Sequence, residues 1–191
     1  MIKLTKPLQT LILGIFVIYS LTPVYLVILA AMRSEADLFS GPLTMPWPPN
    51  WQNFSRVWGD SGFSVFFMNS MKISASVTIL VVLCAPPAGY AFAKMKFRGR
   101  EPMFALFLAG LVVPAPSVIV ALYGNLQTLG MIDSHIGVIL PQAALLLPFS
   151  IFLMRTVMQD VPDELIEAST MDGATPFETF IRVVLPVVRP G

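Results

Sequence analysis

Apolar and polar positions separate on a long scale in this chain. Four long apolar stretches are divided by segments that carry the charges, the first of them residues 33–72. A helix that crosses a membrane needs about 20 mostly apolar residues, because the hydrocarbon core is about 30 Å thick and a helix rises about 1.5 Å per residue. The first stretch, residues 8–32, carries no charge between Lys6 and Arg33. The second covers residues 73–93. The third lies within residues 102–132, with its apolar centre at 104–123. The fourth covers residues 136–154, between Asp133 and Arg155. The first stretch is too long for a signal-peptide core and has no small-residue cleavage site after it, so a retained helix is expected.

Beyond Arg155 the pattern changes. Asp160, Asp163, Glu164 and Glu167 fall within eight positions. Pro162 suits a first helical turn, where its missing amide costs nothing. Acidic residues there favour the helix dipole. A short helix is predicted over residues 162–171, stopped by Asp172-Gly173, with Gly173 in a left-handed conformation. Thr175-Pro176-Phe177-Glu178 reads as a capping box that opens a second helix. That helix is expected to run to about residue 184 and to end near Pro186. The two helices make a compact knob. Its acidic character favours a basic protein partner over an anionic lipid surface.

Inside the spans, Pro86, Pro87, Pro114, Pro116 and Pro148 each remove an amide donor. Such breaks survive in lipid where protein or a watery cavity receives the freed backbone. Helices that line a pathway and helices with ordinary packed kinks both satisfy that condition. Ala85, Gly89 and Ala93, four apart, form a small-residue stripe for close helix packing. Ser74, Ser76 and Thr78 are polar points on the second span, which either meet a solute or bond their own backbone, as hydroxyls routinely do. With Pro114, Pro116 and Tyr123 they are the candidate pathway residues. Trp47, Trp51 and Trp58 lie in the loop before the second span and suit the headgroup zone as anchors.

Composition supports a membrane protein. The 191 residues are 55% hydrophobic and 12% charged, against about 25% charged in soluble domains. A net charge of +1 argues against a nucleic-acid partner. The single cysteine, Cys84, permits no intrachain disulfide, and the single histidine, His135, permits no His-rich metal site. No phosphate-cradling G-x-x-x-x-G-K-[ST] loop occurs, so any nucleotide chemistry must come from another chain. The spans hold no Asp, Glu or His, which general acid–base catalysis usually needs, so no catalytic residue, cofactor or metal ligand is assigned. Of the twelve Lys and Arg residues, nine flank one side of the spans: Lys3, Lys6, Lys94, Lys96, Arg98, Arg100, Arg155, Arg182 and Arg189. Arg33, Arg56 and Lys72 flank the other. That asymmetry predicts a cytoplasmic N-terminus and a cytoplasmic knob.

Glu167-Ala168-Ser169, three residues, Gly173, nine residues, Val183, one residue, Leu185-Pro186 resembles the "EAA" loop of ABC-importer permeases at every interval. Ser169 stands where the family has alanine, and Val183 where it has isoleucine. Asp172-Gly173-Ala174 matches the common D-G-A form. Asn69-Ser70, Tyr90-Ala91-Phe92-Ala93 with Phe97-Arg98-Gly99, Leu129-Gly130, Ile139-Leu140-Pro141 and Leu147-Pro148-Phe149 are similar to the maltose-permease-like carbohydrate subfamily. At Val120-Ala121-Leu122-Tyr123 that subfamily's proline is missing. The resemblance implies an all-α polytopic bundle, with four of an expected six transmembrane helices in this chain. It implies a bacterial inner-membrane location and a sugar or sugar-like solute. It also implies three protein partners: a cytoplasmic ABC ATPase, a second homologous permease subunit and an extracytoplasmic solute-binding protein. Carried over by position, Glu167, Ala168, Ser169, Asp172, Gly173, Ala174, Leu185 and Pro186 form the ATPase-coupling loop. In it Glu167 would pair with a basic group, and Ala168 and Ser169 would permit close approach.

Residues 1–63 are expected to hold the first span and outer loop, and residues 64–191 the permease domain. Family members continue with two further helices, so the chain reads as a truncated copy ending at Pro190-Gly191. Permeases for polyamines, phosphate esters or other polar solutes remain open. So does a non-transporting membrane scaffold whose knob recruits a partner.

Overall fold

In a computed structural model of the chain, residues 6–34, 37 and 45–189 are described. Lys3, in the expected basic flank, and the Pro190-Gly191 end lie outside the described residues. All regular structure among the described residues is helical. The chain divides into two compact units, residues 1–68 and 69–191.

In the first unit α1 (Lys6–Ala31) is the first expected span. Most of its apolar side chains are exposed, as suits a lipid-facing helix, and Leu29 near its end is buried. Asn53, on α2 (Gln52–Gly59), donates from Nδ2 to the Ala31 and Arg33 carbonyls at 2.9 and 2.8 Å, which caps the end of α1. All three tryptophans are exposed, and Trp58 packs on Phe63 and Phe67.

The second span is the long helix α3 (Phe63–Lys94), which starts ten residues earlier than expected. The fourth is α6 (His135–Gln159), capped by Ser134, whose Oγ accepts from the Gly137 amide at 3.0 Å. The expected third span is not one helix. It is α4 (Arg100–Val112) and α5 (Ala115–Thr128), bent by 104° at a break beside Val113 and Pro114. Pro114 and Pro116 explain the break. Each lacks an amide, and proline pushes the residue before it out of the helical region. Val113 is accordingly extended at φ −76°, ψ 115°. Neither piece, at about 20 Å, spans the membrane alone.

In the second unit α3 and α6 run parallel at constant offset. Asn69 Oδ1 lies 3.3 Å from His135 Nε2 at one end. A Cβ at Gly89 would sit 2.5 Å from Met154 Cβ. Lys94 meets the Gln159 carbonyl at the other end, at 3.2 Å. Ala85 and Gly89 of the small-residue stripe are buried, and Ala93 partly so. Ala85, Phe92, Phe104 and Ile151 form the core of α3, α4 and α6. Arg155 reinforces it: Nη2 donates to Glu101 Oε1 and Oε2 at 3.0 and 3.1 Å, and the guanidinium lies 3.9 Å from the Phe104 ring centroid.

Candidate functional site

Residues 160–188 fold as the expected knob at the far ends of α3 and α6. Helix α7 (Asp163–Met171) carries Asp163 and Glu164 in its first turn. Pro162 is not in that turn. It precedes the helix as the N-cap at ψ 134°, because its ring suits an extended lead-in as well as a first turn. The stop is a Schellman motif: the Ala174 amide donates to the Ser169 carbonyl and the Gly173 amide to the Thr170 carbonyl, both at 3.0 Å. Gly173 has φ +83°, which the motif needs and glycine adopts at no steric cost.

Helix α8 (Pro176–Thr179) opens with the capping box. The Thr175 amide donates to Glu178 Oε2 at 2.9 Å, and the Glu178 amide donates to Thr175 Oγ1 at 3.3 Å. The Thr175 amide, then its hydroxyl, hold the Glu178 carboxyl below its ordinary range. The helix does not end near Pro186. It passes through a π-helical turn, Phe180–Val184, into α9 (Leu185–Val188). In that turn the Leu185 amide donates to the Phe180 carbonyl, five residues back. The wider turn meets the problem that Pro186 poses, which is a ring that clashes with the carbonyl four residues earlier.

The knob is fastened to the spans by apolar packing and by one cation. Tyr90 from α3, Met158 from α6, Val161, Phe180 and Val184 make a buried cluster, with Ile166, Leu185 and Val188 packed against it. The Tyr90 and Phe180 rings meet at a 5.4 Å centroid distance, tilted by 32°. Lys94 Nζ donates to the Gln159 and Val161 carbonyls at 3.2 and 2.6 Å and to Asp163 Oδ1 at 2.6 Å. The Lys94 side chain is 9% exposed. Its hydrogen bond and charge hold the Asp163 carboxyl below the usual range. In the sequence Lys94 registers only as a flanking charge, since nothing local marks its three oxygen partners.

The motif residues fall on different surfaces of the knob. Glu167, Ala168, Asp172 and Gly173 are exposed on α7 and its stop, and Ala174 is half-buried. Glu164 and Glu167 have no ion-pair partner among the described residues. Met171, Phe177 and Leu165 are exposed beside them, at 89%, 67% and 41%, so the knob presents an acidic and apolar outer face. Ser169 lies in the crease, where its hydroxyl shares a 2.9 Å hydrogen bond with buried Thr179. Leu185 packs inward, and Pro186 is exposed.

The pathway candidates are scattered. Ser74 and Thr78 are exposed on α3 and Ser76 is half-buried. The backbone bonding expected of them is absent: none of the three hydroxyls has a hydrogen-bond partner among the described residues. Thr22 and Thr156 do bond the carbonyl four residues back. Tyr123 lines a cavity of about 420 Å³ with Asn69, Asp133 and His135. Pro116 lines a separate one of about 660 Å³, and Pro114 is exposed at the α4–α5 break.

Residues 85–191, which include the whole knob, match the binding-protein-dependent transport system inner membrane component family. The chain belongs to that family. Its members are transport components of the membrane, and the chain is a multi-pass membrane protein. It is 32% identical to the diacetylchitobiose uptake system permease protein NgcG of Streptomyces coelicolor, over 90% of this chain and 57% of that protein. It is 32% identical to the osmoprotective compounds uptake permease protein GgtD of Synechocystis, over 96% of this chain and 64% of that protein. It is 28% identical to the trehalose transport system permease protein SugB of Mycobacterium tuberculosis, over 96% of this chain and 65% of that protein. The chain thus spans 57–65% of the length of these relatives.

Proposed function

We propose that the chain is part of the permease subunit of an ATP-driven importer for a sugar or sugar-like solute, and that residues 162–186 couple it to a separate ATPase. The observation that carries this reading is the knob itself. It is a braced turn of two short helices, fixed to the ends of α3 and α6, with an outer face of Glu164, Glu167, Met171 and Phe177 left uncovered. A basic, partly apolar groove on an ATPase complements that face. Gly173 makes the turn, and Asp172 and Ala174 frame it. Ala168 admits a close partner, while the Ser169 hydroxyl ties the crease and Leu185 packs inward against the buried cluster. The permease domain covers residues 64–191, and the knob and N-terminus face the cytoplasm, in line with the nine-to-three distribution of Lys and Arg.

The sugar assignment draws on the diacetylchitobiose and trehalose systems among the relatives. The exposed, unbonded hydroxyls of Ser74 and Thr78, one helical turn apart, suit a polyhydroxylated solute. A second permease subunit and an extracytoplasmic binding protein complete the assembly. The test is purification of the chain's full-length form from its native membrane. An ATPase should copurify, and a sugar-loaded binding protein should stimulate ATP hydrolysis and uptake in proteoliposomes. A preparation with no ATPase, or one stimulated only by an unrelated solute's binding protein, contradicts the assignment.

A further inference from the structure

We infer that Lys94 is a positioning residue for energy coupling: it grips the end of α6 and the start of α7, so that α3 follows the knob when the ATPase moves it. The inference rests on the ATPase-docking role proposed for the knob. It goes beyond that role by naming how motion reaches a span that the knob is not covalently continuous with.

The knob follows α6 directly through residues 160–162, so α6 is driven through the backbone. Helix α3 ends some seventy residues earlier, and only side chains join it to the knob. Most of that junction is apolar: Tyr90 and Ala93 against Phe180 and its neighbours. Apolar packing is non-directional and permits sliding. Lys94 supplies the directional part. It donates three hydrogen bonds, to the Gln159 and Val161 carbonyls and the Asp163 carboxylate. The two carbonyls belong to the terminus of α6 and the turn after it, where backbone acceptors lack helical partners and a cation is favoured. The ammonium is nearly enclosed, whereas Asp163 remains 75% exposed. The carbonyl grip is therefore the durable part of the contact, and the ion pair is the weaker one.

The remainder of the α3–α6 pair makes the grip matter over distance. The sequence offset is 66 between Asn69 and His135 and 65 between Lys94 and Gln159. The Gly89–Met154 approach lies between them. Residues 69 to 94 of a helix cover roughly 37 Å, so the pair is tied at both ends of a membrane-spanning length. Freed at Lys94, α3 and its Ser74 and Thr78 hydroxyls would lag behind α6 during the stroke.

The experiment compares wild type, Lys94→Leu, Lys94→Arg and Asp163→Asn in the complete importer, reconstituted with its ATPase and sugar-loaded binding protein. It measures ATPase copurification, ATP hydrolysis and solute uptake in one preparation. Lys94→Leu should retain the ATPase and hydrolyse ATP, with uptake per ATP reduced about tenfold. Lys94→Arg, which can still donate to two carbonyls, should recover at least half of the ratio, and Asp163→Asn should keep most of it. An unchanged ratio in Lys94→Leu overturns this inference alone. So does loss of the ATPase from Lys94→Leu, which would make the residue a folding element only. A wild-type complex that holds no ATPase overturns the functional reading along with it.

Discussion

Replacement of Gly173 by valine isolates one physical quantity. The residue sits at φ +83°, and a Cβ added there meets no atom within 4 Å. The substitution therefore brings strain without a clash. A non-glycine residue in the left-handed region costs on the order of 1–3 kcal/mol, with β-branched residues at the upper end. Relief of that strain would sacrifice the two Schellman hydrogen bonds from Gly173 and Ala174. Helix α7 has nine residues, and α8 runs on through the π turn only to Val188, so both are too short to hold their geometry without the turn and the packing beneath it. A cost of about 2 kcal/mol corresponds to roughly a 30-fold shift away from the native turn. In a full-length background Gly173→Val should insert into the membrane normally. Uptake should fall steeply, while basal ATP hydrolysis persists without its stimulation by binding protein. Gly173→Asn should be milder, because asparagine tolerates the left-handed region. Insertion, uptake and hydrolysis are measured in one reconstituted preparation. Near-normal uptake with normal stimulation in Gly173→Val, or equal damage from asparagine and valine, would refute the reasoning.

The other expectations are more local. Gly89→Leu should separate α3 from α6, since even a Cβ would sit 2.5 Å from Met154 Cβ. A destabilisation of about 1–3 kcal/mol is expected from overpacking, read as a lower midpoint in detergent thermal unfolding. Ser169→Ala removes the bond to Thr179 at a cost of about 1 kcal/mol and should leave ATPase copurification intact. The carboxyls of Asp163 and Glu178 are held below their ordinary ranges in the folded chain. Their contribution to knob stability is thus complete above the unfolded carboxylate range and lost as pH falls through the lowered values. Limited proteolysis across an acid titration should show residues 160–180 becoming susceptible there, and a flat profile would contradict this. A cysteine at Gly99 should be labelled only from the cytoplasmic side.

What the sequence reveals follows from how local each feature is. The spans α1, α3 and α6 are legible because apolar length alone defines them. The Gly173 stop and the Thr175–Glu178 box are legible because turn and cap chemistry acts within four residues. The α4–α5 bend is half legible. Pro114 and Pro116 mark a weak point, but their ring geometry does not fix the 104° angle. Continuation of the helix through Pro186 is hidden, since nothing local in the sequence marks the π turn that receives the proline ring. Partners 54 to 69 residues apart, such as Glu101 with Arg155 and Lys94 with Asp163, leave no mark in a single sequence. The Ser169 hydroxyl is similar: beside the family's alanine it reads as a mild departure, and only the fold supplies Thr179 as its reason.

The central claim is that the outer face of the knob docks on an ATPase, and site-directed cross-linking tests it most directly. In a Cys84→Ser background, needed because Cys84 is exposed, single cysteines replace Glu167, Phe177, Ser169 and Arg98 in the assembled importer. A short thiol-directed photo-cross-linker should join the Glu167 and Phe177 positions to the ATPase, and leave Ser169, in the crease, unlinked. Cross-links to the ATPase from Arg98 alone, with none from α7 or α8, would contradict the account.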